Sequence, residues 1–300
     1  MPCRPKKPPL CTQNGERPLL KSTMHRVAKF LRRIRSSHSC LRNLTDCFGA
    51  NPSKEPPSEE FLQLIREAFA DLLQAPPGAA TSKHPHSSLV AGIFQVLCAA
   101  TEDKDVAIAT WLLEGAPAGF ATPIPPGPYF PTTSEPEGST LDHRIDIASN
   151  HPSFSETHGE GIAPGVQQAL LLVEKGYGTL YPSREAAEAA IGPCNPAPLG
   201  NIRKLKSDGL SWKDRLILDL QANGCNALVQ LQERVVLPPG IDHARDIAQL
   251  AEGDRQVITM ILDHADAFNE IPLHPSEIPF CCADIGEHGF LVFHGPSVTP

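Results

Sequence analysis

Along residues 58–75, Phe61, Leu62, Ile65, Phe69, Leu72 and Leu73 recur at three- and four-residue spacing, with Glu59 and Glu60 at one end. That pattern predicts an amphipathic helix whose positive end is met by carboxylates. Helical spacing continues over 88–100 and 103–113, so residues 58–114 are expected to form a small helical unit. Further on, Val166, Ala169, Leu170 and Val173 predict a helix over 164–175 that Gly176 stops, and residues 183–191 predict another, stopped by Gly192 and Pro193. Asp242 is placed to cap a helix running to Leu250. Strand character shows elsewhere: residues 257–262 are strand-forming and apolar, 280–285 suit a strand, and Gly286 to Gly289 suit the turn of a final hairpin. Between the strand-like runs around 201–212, Asp208-Gly209 is a hairpin signal that places Arg203, Lys204 and Lys206 on one projecting element.

Two stretches break the periodicity. Residues 115–160 are rich in Pro, Gly, Ser and Thr, including the run Pro123 to Pro128, and predict a linker or an extended strap. Residues 1–57 predict a disordered leader, and their charge differs sharply from the rest. They hold 12 Lys and Arg against 3 Asp and Glu, a net of +9, while residues 58–300 hold 14 against 31, a net of −17. Within this leader Val27, Phe30, Leu31 and Ile34 share a helical face with cations around them. Such a segment suits nucleic acid, a membrane surface or a calmodulin-type partner, or acts as an organelle presequence.

Composition narrows the classes further. An apolar share of 41% supports a globular core, whereas 31 prolines, about twice the ordinary usage, point to linkers outside it. No run of 18 apolar residues is present, so no membrane span is expected. Nine scattered cysteines without a Cys-x-x-Cys pair suit reduced thiols, hence an intracellular protein of nucleus or cytoplasm. His38, Cys40 and Cys47 match no zinc-module spacing.

Candidate chemistry concentrates in Val257 to Pro275. The apolar strand runs into Asp263, Phe268 follows five positions later, and Ile271-Pro272-Leu273-His274-Pro275 closes the block. A carboxylate at the end of a buried strand is rigidly held, as a ligand for a hard divalent ion must be. An Asp at a strand end also serves as a helix cap, so the residue type alone leaves both roles open. Upstream, Arg215 precedes a strand that ends in Asp219, followed by Asn226 and Leu237-Pro238. Arginine's planar fork suits phosphate through paired, charge-assisted hydrogen bonds.

In their order and spacing these two blocks resemble the fingers segment and the first catalytic motif of the reverse transcriptases. The resemblance covers residues 161–300, under half of the chain. It implies an α+β fold, with reverse-transcriptase-like fingers and a partial palm built on a mostly antiparallel sheet with helices. It implies RNA-directed DNA synthesis by two-metal nucleotidyl transfer, with Mg2+ or Mn2+ as cofactor and with template-primer and deoxynucleoside triphosphates as partners. No obligate protein partner is evident. By the same resemblance Asp263 is the catalytic metal ligand and the His264 backbone carbonyl joins it. Lys206, Arg215, Asp266, Ala267 and Phe268 contact the nucleotide, and the Phe268 ring excludes a 2′-hydroxyl.

The chain departs from the family in one respect. No Tyr/Phe-x-Asp-Asp follows Asp263 within the 300 residues. One carboxylate does not hold two ions, so the expectation is an N-terminal portion, truncated before that motif and inactive alone. The alternative expectation is a non-catalytic remnant that binds nucleic acid through its basic leader.

Overall fold

The computed structural model describes residues 59–128, 130, 132–137, 144–147, 149–233, 240–250 and 266–295. The leader 1–57, the strand expected at 257–262, Asp263, His264 and Leu237-Pro238 lie outside the described residues. Two compact units are present, residues 1–81 with 92–104 and residues 82–91 with 105–300. Helices are mixed with antiparallel sheet, an α+β composition.

In the first unit, helix α1 (Glu59–Leu72) follows its predicted apolar period. It ends where Leu73 and Ala75 donate back to the carbonyls of Phe69 and Ala70. Helix α2 (Ala91–Thr101) starts three residues later than the apolar spacing suggests. Just before it, the Ser88 backbone N–H donates to the carboxylate of Glu270 at 2.6 Å. Among the described residues no helix is long and apolar enough to cross a membrane.

The second unit begins its regular structure with helix α3 (Ala107–Glu114). Strand β1 (Thr132–Glu137) pairs with β5 (Leu231–Glu233), and the short helix α4 (Pro152–Ser155) buries Phe154. Helix α5 (Pro164–Glu174) carries proline in its first turn, where no N–H is needed. Strand β2 (Gly178–Tyr181) and helix α6 (Arg184–Ile191) follow, and the Ser183 hydroxyl caps α6 by accepting from Ala186 N–H. Strands β3 (Leu199–Leu205) and β4 (Trp212–Leu218) form an antiparallel hairpin. A short helix α7 (Cys225–Leu228) comes next, and helix α8 (Gly240–Leu250) starts two residues before Asp242. Strands β6 (Cys282–Asp284) and β7 (Phe290–Phe293) close the described chain around the Gly286–Gly289 turn.

The core sits on the sheet β2-β7-β6, with β7 in the middle. All four residues of β7 are buried, because both sheet faces are covered. Leu291 and Phe293 point into a cluster with Val166 and Ala169 of α5, Leu199, Leu216 and Leu218 of the hairpin base, and Ala283. Phe290 and Val292 point the other way, toward Ala187 of α6, Cys194 and Cys282. A strand buried on both faces must be apolar at every position, which explains the unbroken Phe-Leu-Val-Phe run.

The proline-rich stretch is anchored in this unit at residues 115–122. Ala116 N–H donates to Pro272 O at 2.7 Å, and His274 N–H returns a bond to Ala116 O at 2.9 Å. Gly115 has φ +100°, and a Cβ there would strike the Leu273 carbonyl, so only glycine lets the strap lie this close. Beyond it, Glu277 is fully buried and its carboxylate accepts the N–H groups of Phe120 (2.9 Å), Ala121 (3.0 Å) and Thr122 (3.3 Å). A buried carboxylate is stable here because successive backbone donors replace its water. Replacing Glu277 by Ala removes the acceptor of those donors and is expected to cost about 1–3 kcal/mol. Urea unfolding of the full chain checks this, with Glu277→Gln expected to lose less; an unchanged midpoint would mean that other contacts hold the strap.

Candidate functional site

Two elements carry the described residues that the sequence nominated. The first is the β3–β4 hairpin. Its register sets Ile202 opposite Arg215 and Lys204 opposite Lys213, so Lys204, Lys213 and Arg215 share one face. Arg203 and Trp212 lie on the other face, with the guanidinium 5.1 Å from the indole centroid. At the tip Lys206 N–H donates to Ser211 O at 2.8 Å and Gly209 N–H donates to Lys206 O at 3.0 Å. The Asp208 carboxylate accepts the N–H groups of Leu210 and Ser211 and the Ser211 hydroxyl, which holds it below the usual carboxylate range. Its charge is therefore used inside the turn. Lys206 and Arg215 are both exposed.

Just past β4, Asp219 accepts from Gln221 N–H (3.1 Å), Ala222 N–H (3.0 Å) and the His151 ring (3.0 Å). Burial works against its ionisation, but Ala222, His151 and Gln221 together hold the carboxyl below its ordinary value. This residue turns the chain out of the sheet, a structural duty that any Asp in a strand-to-turn junction could perform.

The second element is the turn at 266–270. Asp266 adopts the left-handed region with φ +54°, a conformation that Asp tolerates better than most side chains. Its carboxylate is paired with Lys175 at the end of α5, at 2.8 Å. Asn269 N–H closes the turn on Asp266 O at 2.8 Å. Ala267 and Phe268 are exposed, Phe268 at 53%. The turn places Asp266, Ala267 and Phe268 together on the surface. Among the described residues no hydrogen bond or ion pair joins Lys206 or Arg215 to Asp266. Asp263 and His264, the nominated metal-binding pair, lie outside the described residues. No group of three or more His, Cys, Asp and Glu side chains among the described residues could hold a metal ion.

Beneath this turn is a polar network that sequence reasoning missed. Glu270 is buried and binds the 82–91 segment: its Oε2 accepts Ser88 N–H, and its backbone carbonyl accepts the Ser87 hydroxyl at 2.6 Å. Tyr177 donates to the other carboxylate oxygen at 3.2 Å. Burial, with the negative charge of Glu270 beside it, pushes the Tyr177 phenol up to about 12. Next to this, the rings of His86 and His294 stack with centroids 3.6 Å apart and planes within 5°. His294 Nε2 meets Thr179 Oγ1 at 2.7 Å, while its buried Nδ1 has no partner. The available signal was the Glu directly before the Ile-Pro-Leu tail, and no local pattern links it to Ser87, 183 residues away.

No protein-family model, curated protein or solved structure matches this chain.

His294 gives this region a defined pH response. Burial first, then the neighbouring His86 and His84, lower its pKa from 6.5 to about 4. The folded state thus disfavours the imidazolium, and the contribution of the neutral ring is complete above pH 6.5 and is lost as pH falls through about 4. Tyr177, Glu270 and Thr179 are the other polar groups around it. Urea midpoints at pH 7 and pH 4.5 are expected to differ less in His294→Gln than in the unaltered chain. Equal pH dependence in both would refute the assignment.

Proposed function

We propose that residues 161–300 are the fingers and the first part of the palm of an RNA-directed DNA polymerase, and that the chain acts in template-primer and nucleotide binding. The observation that carries the reading is the hairpin register, which gathers Lys204, Lys213 and Arg215 on one exposed face with Lys206 at the tip. Cations gathered on one exposed face suit the phosphates of a nucleic acid, and Arg215 adds a bidentate contact. The block ending in Asp263 with Phe268 five positions on supports it from the sequence side.

In this reading Asp263, with the His264 carbonyl, binds a Mg2+ or Mn2+ ion, which supplies charge neutralisation at the transferring phosphoryl group. Asp266 and Ala267 border the triphosphate, and Phe268 packs under the sugar. The exposure of Phe268 supports such a role, since an aromatic ring left on a turn has apolar surface to offer a ligand. No Tyr/Phe-x-Asp-Asp follows Asp263 in this sequence, so the only carboxylate to which the reading assigns metal binding here is Asp263.

Binding of the full 300-residue chain to a labelled template-primer, followed by anisotropy, tests the reading. Arg215→Ala is expected to weaken it about tenfold, and Lys206→Ala to weaken it less and flatten the salt dependence by about one phosphate contact. Binding that survives Arg215→Ala and disappears on removal of residues 1–57 would favour the non-catalytic alternative, in which the basic leader alone holds nucleic acid.

In a polypeptide extended through a Tyr/Phe-x-Asp-Asp motif, Asp263→Asn is expected to abolish Mg2+-dependent primer extension, and Phe268→Ala to admit ribonucleotides. Extension that persists in the Asn variant would end the polymerase reading.

A further inference from the structure

Four buried cysteines, Cys194, Cys225, Cys281 and Cys282, surround the junction between the α6 exit loop and β6, and neither the fold nor the proposed polymerase role uses their chemistry. They fall into two sets. Cys281 packs with Cys225 in the cluster between α5, the hairpin base and the sheet, whereas Cys282 packs with Cys194 in the cluster under α6. Successive residues entering a strand point to opposite faces, so the adjacent Cys281 and Cys282 are turned away from each other.

The backbone aligns the other pair. Asn195 N–H donates to Pro279 O and Ala197 N–H to Cys282 O, both at 2.9 Å, so residues 194–197 run along residues 279–282. The Cys194 thiol contacts Gly192 O at 3.6 Å and the Cys282 thiol contacts Pro279 O at 3.2 Å. Cys194 retains 7% exposure while Cys282 has none. From this arrangement we propose that Cys194 and Cys282 are a peroxide-responsive redox pair, with Cys194 attacking and Cys282 resolving. The inference does not rest on the polymerase reading.

The electrostatics give the two thiols different parts. The neighbouring Cys282 thiol lowers the pKa of Cys194 against the opposing effects of burial and of the Glu188 carboxylate, and the Arg184 guanidinium, which also donates to Cys194 O at 2.8 Å, assists. The Cys194 thiol beside it and burial raise Cys282. Cys194 is therefore the thiol that ionises first, and the thiolate is the nucleophile. Its sulfur attacks one oxygen of hydrogen peroxide and the O–O bond breaks. Hydroxide leaves and takes up the thiol proton as water, and Cys194 becomes a sulfenic acid. Cys282 sulfur then attacks Cys194 sulfur and the S–O bond breaks. The Cys282 proton leaves with the hydroxyl as a second water, and two thiols have been oxidised to one disulfide. The bridge would tie the α6 exit loop to β6 across 87 intervening residues, counted between positions 194 and 282.

The test is peptide mapping of the full 300-residue chain after graded hydrogen peroxide and alkylation of remaining thiols. The expected product is a Cys194–Cys282 cross-linked peptide that a dithiol reductant removes. In Cys282→Ser, dimedone is expected to label Cys194; in Cys194→Ser, neither label nor cross-link should form. A Cys281–Cys282 or Cys225–Cys281 bridge in the unaltered chain, or no bridge at peroxide levels that oxidise its methionines, would overturn the proposal. The unaltered chain decides the matter by itself if either serine variant fails to fold.

Discussion

Burial of β7 on both of its faces is the constraint from which the second unit follows. Phe290 to Phe293 have no polar face to offer water, so the strand needs a helix on each side and a neighbour at each edge. Helix α5 with the hairpin base covers one face, and α6 covers the other. The described candidate site residues on the hairpin and the 266–270 turn are placed by reference to that strand. The hairpin is held by Leu199, Leu216 and Leu218 at its root, and the 266–270 turn is held by Leu273 N–H donating to His294 O at 2.7 Å, just past the end of β7.

Two buried carboxylates complete what the apolar core begins. Glu277 gathers the amides of 120–122 and Glu270 receives the Ser88 amide, so each fixes an irregular stretch of chain. Irregular backbone cannot satisfy its own donors, and a carboxylate with several lone pairs can take over that duty. The arrangement is demanding, because the loss of one side chain leaves several polar groups without partners at once.

Local signals in the sequence were read at their face value by the fold. Ser183 caps α6, Asp208-Gly209 turns the hairpin, and Gly286 to Gly289 turns β6 into β7. These devices work within a few residues, so a single sequence displays them. The bond from Ser88 N–H to Glu270 joins residues far apart in the chain, so no local pattern displays it. The stacking of His86 on His294 was invisible for the same reason. Of the nominated site, Lys206 could be placed on the hairpin from its turn signal, whereas Arg215, expected ahead of a strand, sits inside β4. The pairing of Asp266 with Lys175 could not be placed in that way, since it depends on where α5 ends in space.

The hairpin's root and tip differ in a way that bears on how the protein behaves in concentrated solution. At the root, Asn150 Oδ1 accepts Leu199 N–H and Ser153 Oγ accepts Asn201 N–H, so the outer margin of β3 is sealed by side chains. Past Asn201 no such cover exists among the described residues, and Ile202, Leu205, Leu210 and Trp212 are open to solvent. An uncovered ribbon with apolar side chains is a template for cross-chain strand pairing. Lys204, Lys206 and Lys213 therefore have a second effect, that of mutual repulsion between copies. Any polyanion that neutralises them would remove the barrier that keeps neighbouring ribbons from zipping together.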